Sequence, residues 1–354
     1  MIVNIERKIT RPIRVGNVAI GNLAGISVQT MTNTNTEDVD ATLTQIQDAV
    51  AAKADIVRVS CNTQKSTEAL KEIVKSAGVP IIADIHFNHK RAIEAIENGT
   101  HCIRINPSNI TEHGLIEIVR CAVANSAPIR LGLNSGSIER GILDRYKEPC
   151  ADALVDSALL NIQKLENMNF SNFKISVKSS NVKTTIEAYR KLSVRSDYPL
   201  HVGVTEAGTI LSGTIKSSIG IGALLADGIG DTIRVSLSTK DLREEVRVGR
   251  QILKSLGLLR NSIDIVSCPT CARTLIDVIS IARDLEGATE NTEKKLTVSV
   301  LGCVVNGIGE ALNSDIGIFG FEKGVAKIYT NGKEVATIKE QEIVKFVTKK
   351  IAGL

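Results

Sequence analysis

Tryptophan is absent from this 354-residue chain, and aromatic residues make up only 3% of it. That scarcity argues against platforms for stacking nucleic-acid bases. Charge of one sign is also missing. Lys and Arg total 43 against 39 for Asp and Glu, a net charge of +4, which suits an ordinary surface and singles out no polyanionic partner. No apolar run is long enough to span a membrane. The opening stretch MIVNIERKITRPIRV carries charges every few residues and no apolar core, so no export signal is expected and the predicted location is the cytoplasm. Seven cysteines is an odd number, which speaks against a disulfide framework and fits a reducing compartment.

What is present is a repeating pattern. Eight short β-branched runs recur: 25–31, 55–60, 80–86, 102–107, 128–134, 173–179, 200–206 and 231–237. Each is apolar on both faces, as in parallel strands covered by helices. The stretches between them, such as VDATLTQIQDAVAAKA and HKRAIEAIENG, return apolar residues every three or four positions, and several end in Gly. The predicted fold is α/β: a (β/α)₈ barrel over residues 1–258, followed by a small α+β domain over 259–354. A doubly wound sheet is the alternative, but no glycine-rich dinucleotide turn follows the first run.

Barrel chemistry sits at the C-terminal ends of the strands, and polar residues gather there. They are Arg58, Asp84, His86, Arg104, Asn106, Arg130, Asn134, Lys174, Ser176, Lys178, Thr205, Glu206, Arg234 and Ser236. A single strand Arg is as readily a rim residue or an ion-pair partner. Four of them with Lys178 leave positive charge that an anion would satisfy, and Arg forks match phosphate oxygens. The expected substrate is therefore phosphorylated. Asp84, His86 and Glu206 are available for acid–base work, although His86 could equally be a neutral histidine bonded to backbone.

The pattern changes after residue 262. The sequence predicts a strand over 263–268, a helix over 272–287, a strand over 295–302, a hairpin over 328–338 turning at Asn-Gly, and a final helix from about 339 to 352. Cys268 and Cys271 form a CxxC, and Cys303 ends the next strand. A redox dithiol, zinc and an iron–sulfur cluster are all compatible with the CxxC alone. Zinc normally takes four Cys or His ligands, and no His follows His201. Glu310 stands seven residues past Cys303 in GCVVNGIGEAL, on what reads as a glycine-containing turn. Its bland role is to cap the helix after it. Cys61, Cys102, Cys121 and Cys150 belong to the barrel region.

These segments carry a resemblance. SVQTMTNTNTEDV, IADIHFNHKRA, RINPSNI, IRLGLNSGS, KISVKSS, VGVTEAG, GIGDTIRVSLS, CPTCARTLIDV and LGCVVNGIGEAL resemble the 4-hydroxy-3-methylbut-2-enyl diphosphate synthase family of the non-mevalonate isoprenoid pathway, in its short two-domain form, nearly end to end. The resemblance implies reductive ring opening and dehydration of 2-C-methyl-D-erythritol 2,4-cyclodiphosphate to (E)-4-hydroxy-3-methylbut-2-enyl diphosphate. It implies one [4Fe-4S] cluster per subunit, held by Cys268, Cys271, Cys303 and Glu310. Arg58, Arg104, Arg130 and Lys178 match positions that bind the diphosphate. Asn106, Asn134, Thr205, Ser236 and Ser238 match others lining the pocket, while His86 and Glu206 match residues near the carbon skeleton, Glu206 being the favoured acid–base group. Ferredoxin or flavodoxin is the implied electron donor, and the implied assembly is a homodimer with cross-subunit sites. One departure is Ile308, where the motif usually has Pro. The rival class is a radical S-adenosylmethionine enzyme, whose three cluster cysteines usually lie close together as CxxxCxxC and precede most of the barrel. A non-enzymatic iron–sulfur scaffold would not need the cationic barrel mouth.

Overall fold

A computed structural model of the chain describes residues 5–259 and 261–354. The chain divides into two units, Met1–Leu258 and Leu259–Leu354. The first begins with a hairpin, β1 (Ile13–Val15) against β2 (Val18–Ile20). Then come β3 (Ser27–Met31), β4 (Ile56–Ser60), β5 (Ile81–Ile85), β6 (Cys102–Ile105), β7 (Ile129–Asn134), β8 (Phe173–Lys178), β9 (His201–Val202) and β10 (Thr232–Ile233). These eight form one parallel sheet in the order β8-β7-β6-β5-β4-β3-β10-β9, and a bridge from Ile175 to Leu200 brings its two edges together. The result is the near-closed (β/α)₈ barrel that the periodicity predicts.

The crossovers are α1 (Val39–Ala51), α2 (Gln64–Ser76), α3 (His89–Glu97), α4 (Glu112–Ala124), a short α5 (Arg140–Tyr146) leading into α6 (Ala151–Asn167), α7 (Val182–Arg195), α8 (Ile210–Ala226) and α9 (Leu242–Ser255). Asp38, Thr63, Asn88, Thr111, Asn181 and Asp241 cap helix starts with side-chain oxygens, which fixes where each mouth loop turns into its helix.

Two expected strands are much shorter than their apolar runs. Beyond Val202 and Ile233 the chain leaves the ladder, and Glu206 turns it with φ 50°. Thr205, Glu206, Ser236 and Ser238 therefore sit on mouth loops rather than at strand ends. The Ser238 N–H donates to the Gly208 carbonyl at 2.9 Å, lacing these two loops together.

The opposite end is sealed by β1 and β2. Ile13, Val15 and Ile20 pack on Ile56, Ile82 and Cys102, which start β4 and β6 and lie low in β5. The sequence reading did not include this floor, because three-residue strands are too short to show a period.

Residues 259–354 build a five-stranded sheet in simple order: β11 (Ile263–Ser267), β12 (Leu296–Leu301), β13 (Ile316–Glu322), β14 (Val325–Thr330) and β15 (Lys333–Lys339). The first three run parallel and the last three antiparallel. The β14–β15 turn is Asn331-Gly332, both at positive φ as a two-residue hairpin requires. Helices α10 (Val278–Thr289) and α12 (Ile343–Gly353) cover one apolar cluster, with Val278, Ile281, Leu285, Val347 and Ile351 on Val298, Val300 and Ile328. Helix α11 (Val304–Asn313) contributes Ala311 to a second cluster with Leu301 and Phe319. The first helix of this unit starts six residues later than expected, because 272–277 is spent on turns and Asp277 makes the cap. Neither β13 nor α11 was anticipated. Among the described residues no helix is long and apolar enough to cross a membrane.

Removing the floor should loosen the barrel. Ile20 is 1% exposed, so Ile20→Ala is expected to cost about 2–5 kcal/mol. The check is urea unfolding followed by a signal from the barrel, with Ile9→Ala, at an exposed position, as the control that changes little.

Candidate functional site

The barrel interior is charged where most barrels are apolar. Parallel register sets the arrangement: Asp84 pairs with Arg104, Arg104 with Arg130, and Arg130 with Lys174 across β5 to β8. Register partners share a face, so all four side chains point inward. Lys178 lies further along the same face of β8, opposite Asn134.

Asp84 is the anchor. It is 3% exposed, and its carboxylate meets Arg104 at 3.2 Å, His86 Nε2 at 3.5 Å and Arg58 at 3.7 Å. Burial alone would raise its pKa. Arg58, the hydrogen bond from His86, Arg104 and Arg130 outweigh that and hold it well below the usual carboxylate range. Asp84 is thus an ionised counter-charge, not a proton donor. Arg104 also donates to the Gly132 carbonyl at 3.0 Å. It can lie there only because residue 132 is glycine, since a Cβ would fall 2.2 Å from Arg104 Nε.

Arg234, part of the expected cationic ring, is committed elsewhere. It donates to both oxygens of Glu245 in α9, at 3.0 and 3.2 Å, and to Ser236 Oγ at 3.0 Å. Glu245 also accepts from the Thr30 hydroxyl and the Leu237 N–H. Arg234 therefore holds the mouth loop after β10 in place, and Ser236 is bonded to it. Glu245 was missed because a glutamate on the buried face of an amphipathic helix leaves no distinctive sequence mark.

Subtracting these pairs leaves Arg130, Lys174 and Lys178. None makes an ion pair among the described residues, and Arg130 Nε and Nη1 and Lys174 Nζ have no hydrogen-bond partner there. Burial, then Arg58 and Arg104, presses Arg130 towards losing its proton. Burial, then Arg130 and Arg234, does the same to Lys178. A guanidinium keeps its proton in practice. Their charge stands uncompensated among the described residues, a setting that an anion would satisfy. His201, in β9, is fully buried and bonds Thr232 Oγ1 through Nδ1 at 2.6 Å. Burial and the nearby cations keep it neutral. Its interior place was not read from the sequence and follows from its pairing with Thr232.

The remaining expected site residues surround this centre. Asn106 is buried, donates to Ser137 Oγ at 2.8 Å and accepts from the Ser108 N–H. Asn134, Thr205 and Ser236 are half-buried, while Glu206 and Ser238 are exposed. His86 is 38% exposed and linked to Asp84, so its ring reaches the mouth.

In the small unit, Cys268 and Cys303 follow the adjacent parallel strands β11 and β12. The Gly302 N–H donates to Cys268 Sγ at 3.2 Å. The segment bearing Cys271 folds back so that the Leu275 N–H bonds the Gly302 carbonyl at 2.8 Å. The Arg273 N–H, and then the Arg273 charge, lower the pKa of Cys271. All three thiols are free. Glu310 departs from expectation: it lies within α11, not on a turn and not at a helix start, and it is exposed. Cys303 is the residue before that helix. Glu310 lies about two turns into the helix, so roughly 10 Å of helical rise separates it from the helix start. The glycines also have a different job. Gly307 seats α11 on Phe319, whose Cβ would stand 2.4 Å from an added Cβ. Ile308 is likewise inside the helix, so its departure from Pro affects a helix rather than a loop. Among the described residues, no three His, Cys, Asp or Glu side chains are gathered as a metal-ligand set. The fit to an iron–sulfur cluster is one of donor chemistry and backbone placement.

Two family models match the chain. The one described as GcpE TIM-barrel domain matches residues 10–250, and the one described as GcpE protein C-terminal domain matches 264–353. A Hyphomonas neptunium protein named 4-hydroxy-3-methylbut-2-en-1-yl diphosphate synthase (flavodoxin) is 50% identical over 347 residues, covering 98% of this chain and 91% of the relative. A Clostridium acetobutylicum protein of the same name is 49% identical over 351 residues, covering 99% and 100%. Among solved structures, the sialic acid synthetase of Leptospira borgpetersenii aligns at TM-score 0.52 and 12% identity, over 71% of this chain and 92% of that one. Dihydropteroate synthase from Stenotrophomonas maltophilia aligns at 0.51 and 13%, over 70% and 97%. At such identities these two show the barrel fold alone.

The space at Gly132 gives a direct test of the site's construction. Gly132→Ala should displace Arg104 from Asp84 and weaken anion binding by about tenfold, or ~1.4 kcal/mol. The readout is calorimetric titration with inorganic pyrophosphate, compared with Gly136→Ala, where an added Cβ meets nothing within 4 Å.

Proposed function

This chain belongs to the GcpE family, and we infer from that membership that it is a 4-hydroxy-3-methylbut-2-en-1-yl diphosphate synthase. It is an oxidoreductase that opens the ring of 2-C-methyl-D-erythritol 2,4-cyclodiphosphate, taking up two electrons and two protons and releasing water. The observation that carries the assignment is the match at about half identity over nearly the whole chain. The unpaired cations of the barrel supply its physical counterpart.

In this reading the diphosphate lies against Arg58, Arg104, Arg130 and Lys178. Its charge meets the demand left by Arg130 and Lys178, while Asp84 keeps Arg58 and Arg104 aimed at one place. Asn106, Asn134, Thr205, Ser236 and Ser238 offer neutral donors and acceptors around it. Water is held off by burial of the cations, which strengthens their pull on the breaking C–O bond. His86 and Glu206 stand at the mouth for proton transfer to the carbon skeleton or the departing oxygen. Glu206 sits at positive φ, a conformation that its loop must hold against the usual preference.

Cys268, Cys271, Cys303 and Glu310 would hold a [4Fe-4S] cluster. Bound there, it would supply low-potential electrons one at a time. The Gly302 N–H and the Leu275 N–H to Gly302 carbonyl bond support the reading by bringing the CxxC segment against the end of β12, beside Cys303. The name of the relatives makes flavodoxin the first donor to test, with ferredoxin the alternative. Free thiols throughout suit a reducing cytoplasm. The assembly we propose is a homodimer in which one subunit's cluster domain completes the barrel site of its partner.

The deciding experiment is anaerobic purification, iron determination and assay with the cyclic diphosphate and reduced flavodoxin. Product and about four irons per chain are expected, and a metal-free protein after reconstitution would overturn the cluster. Arg58→Ala should keep the cluster spectrum and lose roughly 2–5 kcal/mol of substrate binding. A mixed dimer of Cys268→Ala and Arg104→Ala subunits should recover activity, and none in a verified mixed dimer would remove the cross-subunit arrangement. Glu310→Cys should move one iron towards thiolate-like Mössbauer parameters, and an unchanged spectrum would exclude Glu310 as a ligand.

A further inference from the structure

Below the four cations assigned to the diphosphate stands another whose surroundings differ. Lys174 lies four residues before Lys178 on the same inward face of β8, in register with Arg130. It is 0% exposed, and Nζ has no hydrogen-bond partner among the described residues. Four groups face it: Arg130 from β7, Cys102 from β6, His201 from β9 and Asp231 from the approach to β10. Asp231 already accepts from the Leu200 N–H and the Thr10 hydroxyl and pairs with Arg7. Burial pushes the Cys102 thiol up, so it stays neutral. His201 is neutral as well. Lys174 therefore has a second unpaired cation beside it and no carboxylate within ion-pair distance. Two unpaired cations in one low-dielectric space are costly. Of the two, arginine keeps its proton and lysine yields it.

We propose that Lys174 is a charge-regulating positioning residue of the anion site, only partly protonated in the ligand-free barrel on the alkaline side of neutrality and fully protonated once a diphosphate binds above it. The inference rests on the diphosphate reading. A permanent charge at this depth would repel Arg130 whenever the site held no ligand. A permanently neutral residue would waste the attraction when it did. An amine that changes state serves both conditions, and its proton arrives with the ligand.

The direction of the pH dependence follows. Burial, reinforced by Arg130 and partly offset by Asp231, lowers the pKa of Lys174 to about 8. A bound polyanion raises it. Between the two values binding takes up a proton, so affinity falls as pH rises from 8 towards the bound value. Below 8 the amine is already charged and the effect disappears.

The test is calorimetric titration of the anaerobic holoenzyme at pH 9, without reductant, using the cyclic diphosphate in buffers of different ionisation enthalpy. Each phosphorus of that ring carries one ester link, one anhydride link and a single, strongly acidic ionisable oxygen, so counted protons belong to the protein. Wild type should take up at least about half a proton more than Lys174→Met, and its affinity should fall more steeply between pH 8 and 9.5. Binding by wild type without proton uptake would overturn the inference and leave the diphosphate reading standing. Equal uptake by a folded Lys174→Met would assign the proton to Lys178 or His201 and overturn it too. Absence of binding would remove both. If Lys174→Met does not fold, wild type labelled with carbon-13 at lysine Cε decides. Two buried lysines, Lys174 and Lys178, should titrate low when free and move upward on binding, and fewer than two overturns the proposal.

Discussion

A single buried carboxylate sets the geometry of the barrel interior. Asp84 draws Arg58 from one side and Arg104 from the other, and ties His86 to the same point. Without it, three cationic or protonatable groups on neighbouring strands would repel one another and turn outward. With it, two guanidinium groups are fixed while their combined charge still exceeds its own. The excess is passed to Arg130 and Lys178, which have no counter-ion of their own. The protein has stabilised the part of the site that must be rigid and left uncompensated the part that must attract. A second pair, Arg234 with Glu245, does the same for the loop after β10. Positive charge in this barrel is therefore of two kinds, one paired with carboxylates and one without a carboxylate partner among the described residues.

Much of this was legible in the sequence. Eight doubly apolar runs gave the barrel, because parallel strands covered by helices have no polar face to interrupt them. The alternation Lys174, Ser176, Lys178 marked an inward face of β8, and the register of the sheet adds Arg130 and Arg104 to it. What was not legible depended on pairing. Nothing in the run DTIRVSL distinguishes an arginine that meets phosphate from one that meets Glu245, because the partner comes from a helix eleven residues later. The interior role of His201 required knowing that Thr232 lies beside it.

The small unit shows a different limit. CPTC and GCVVNGIGE are specific as motifs, and the strand before each was readable. Their local conformation was not. The glycines suggested a turn, but Gly307 is there so that α11 can approach Phe319, and Gly317 of β13 admits Ala311 in the same way. Close packing of a helix on a strand and a tight turn call for the same residue, so sequence alone favours whichever is commoner. Glu310 moves accordingly from a loop to a helix face, which makes its distance from Cys303 a property of helical rise rather than of loop flexibility.

The N-terminal segment does more than close the floor. Thr10 bonds Asp231 across 221 residues, Lys8 donates its backbone N–H to Gly228, and the side chain of Lys8 reaches the Ser193 and Ser196 carbonyls. Thr10 thus meets its partner late in the chain, since Asp231 directly precedes the eighth barrel strand. Contacts of such high sequence separation slow folding and make it cooperative. A half-barrel of this chain would have no joined seam, and its charged interior would stand open to water. The charged core is a property of the complete barrel: Arg130 and Lys174 are withdrawn from water only where every strand that shields them is in place, and the N-terminal straps help to hold those strands there.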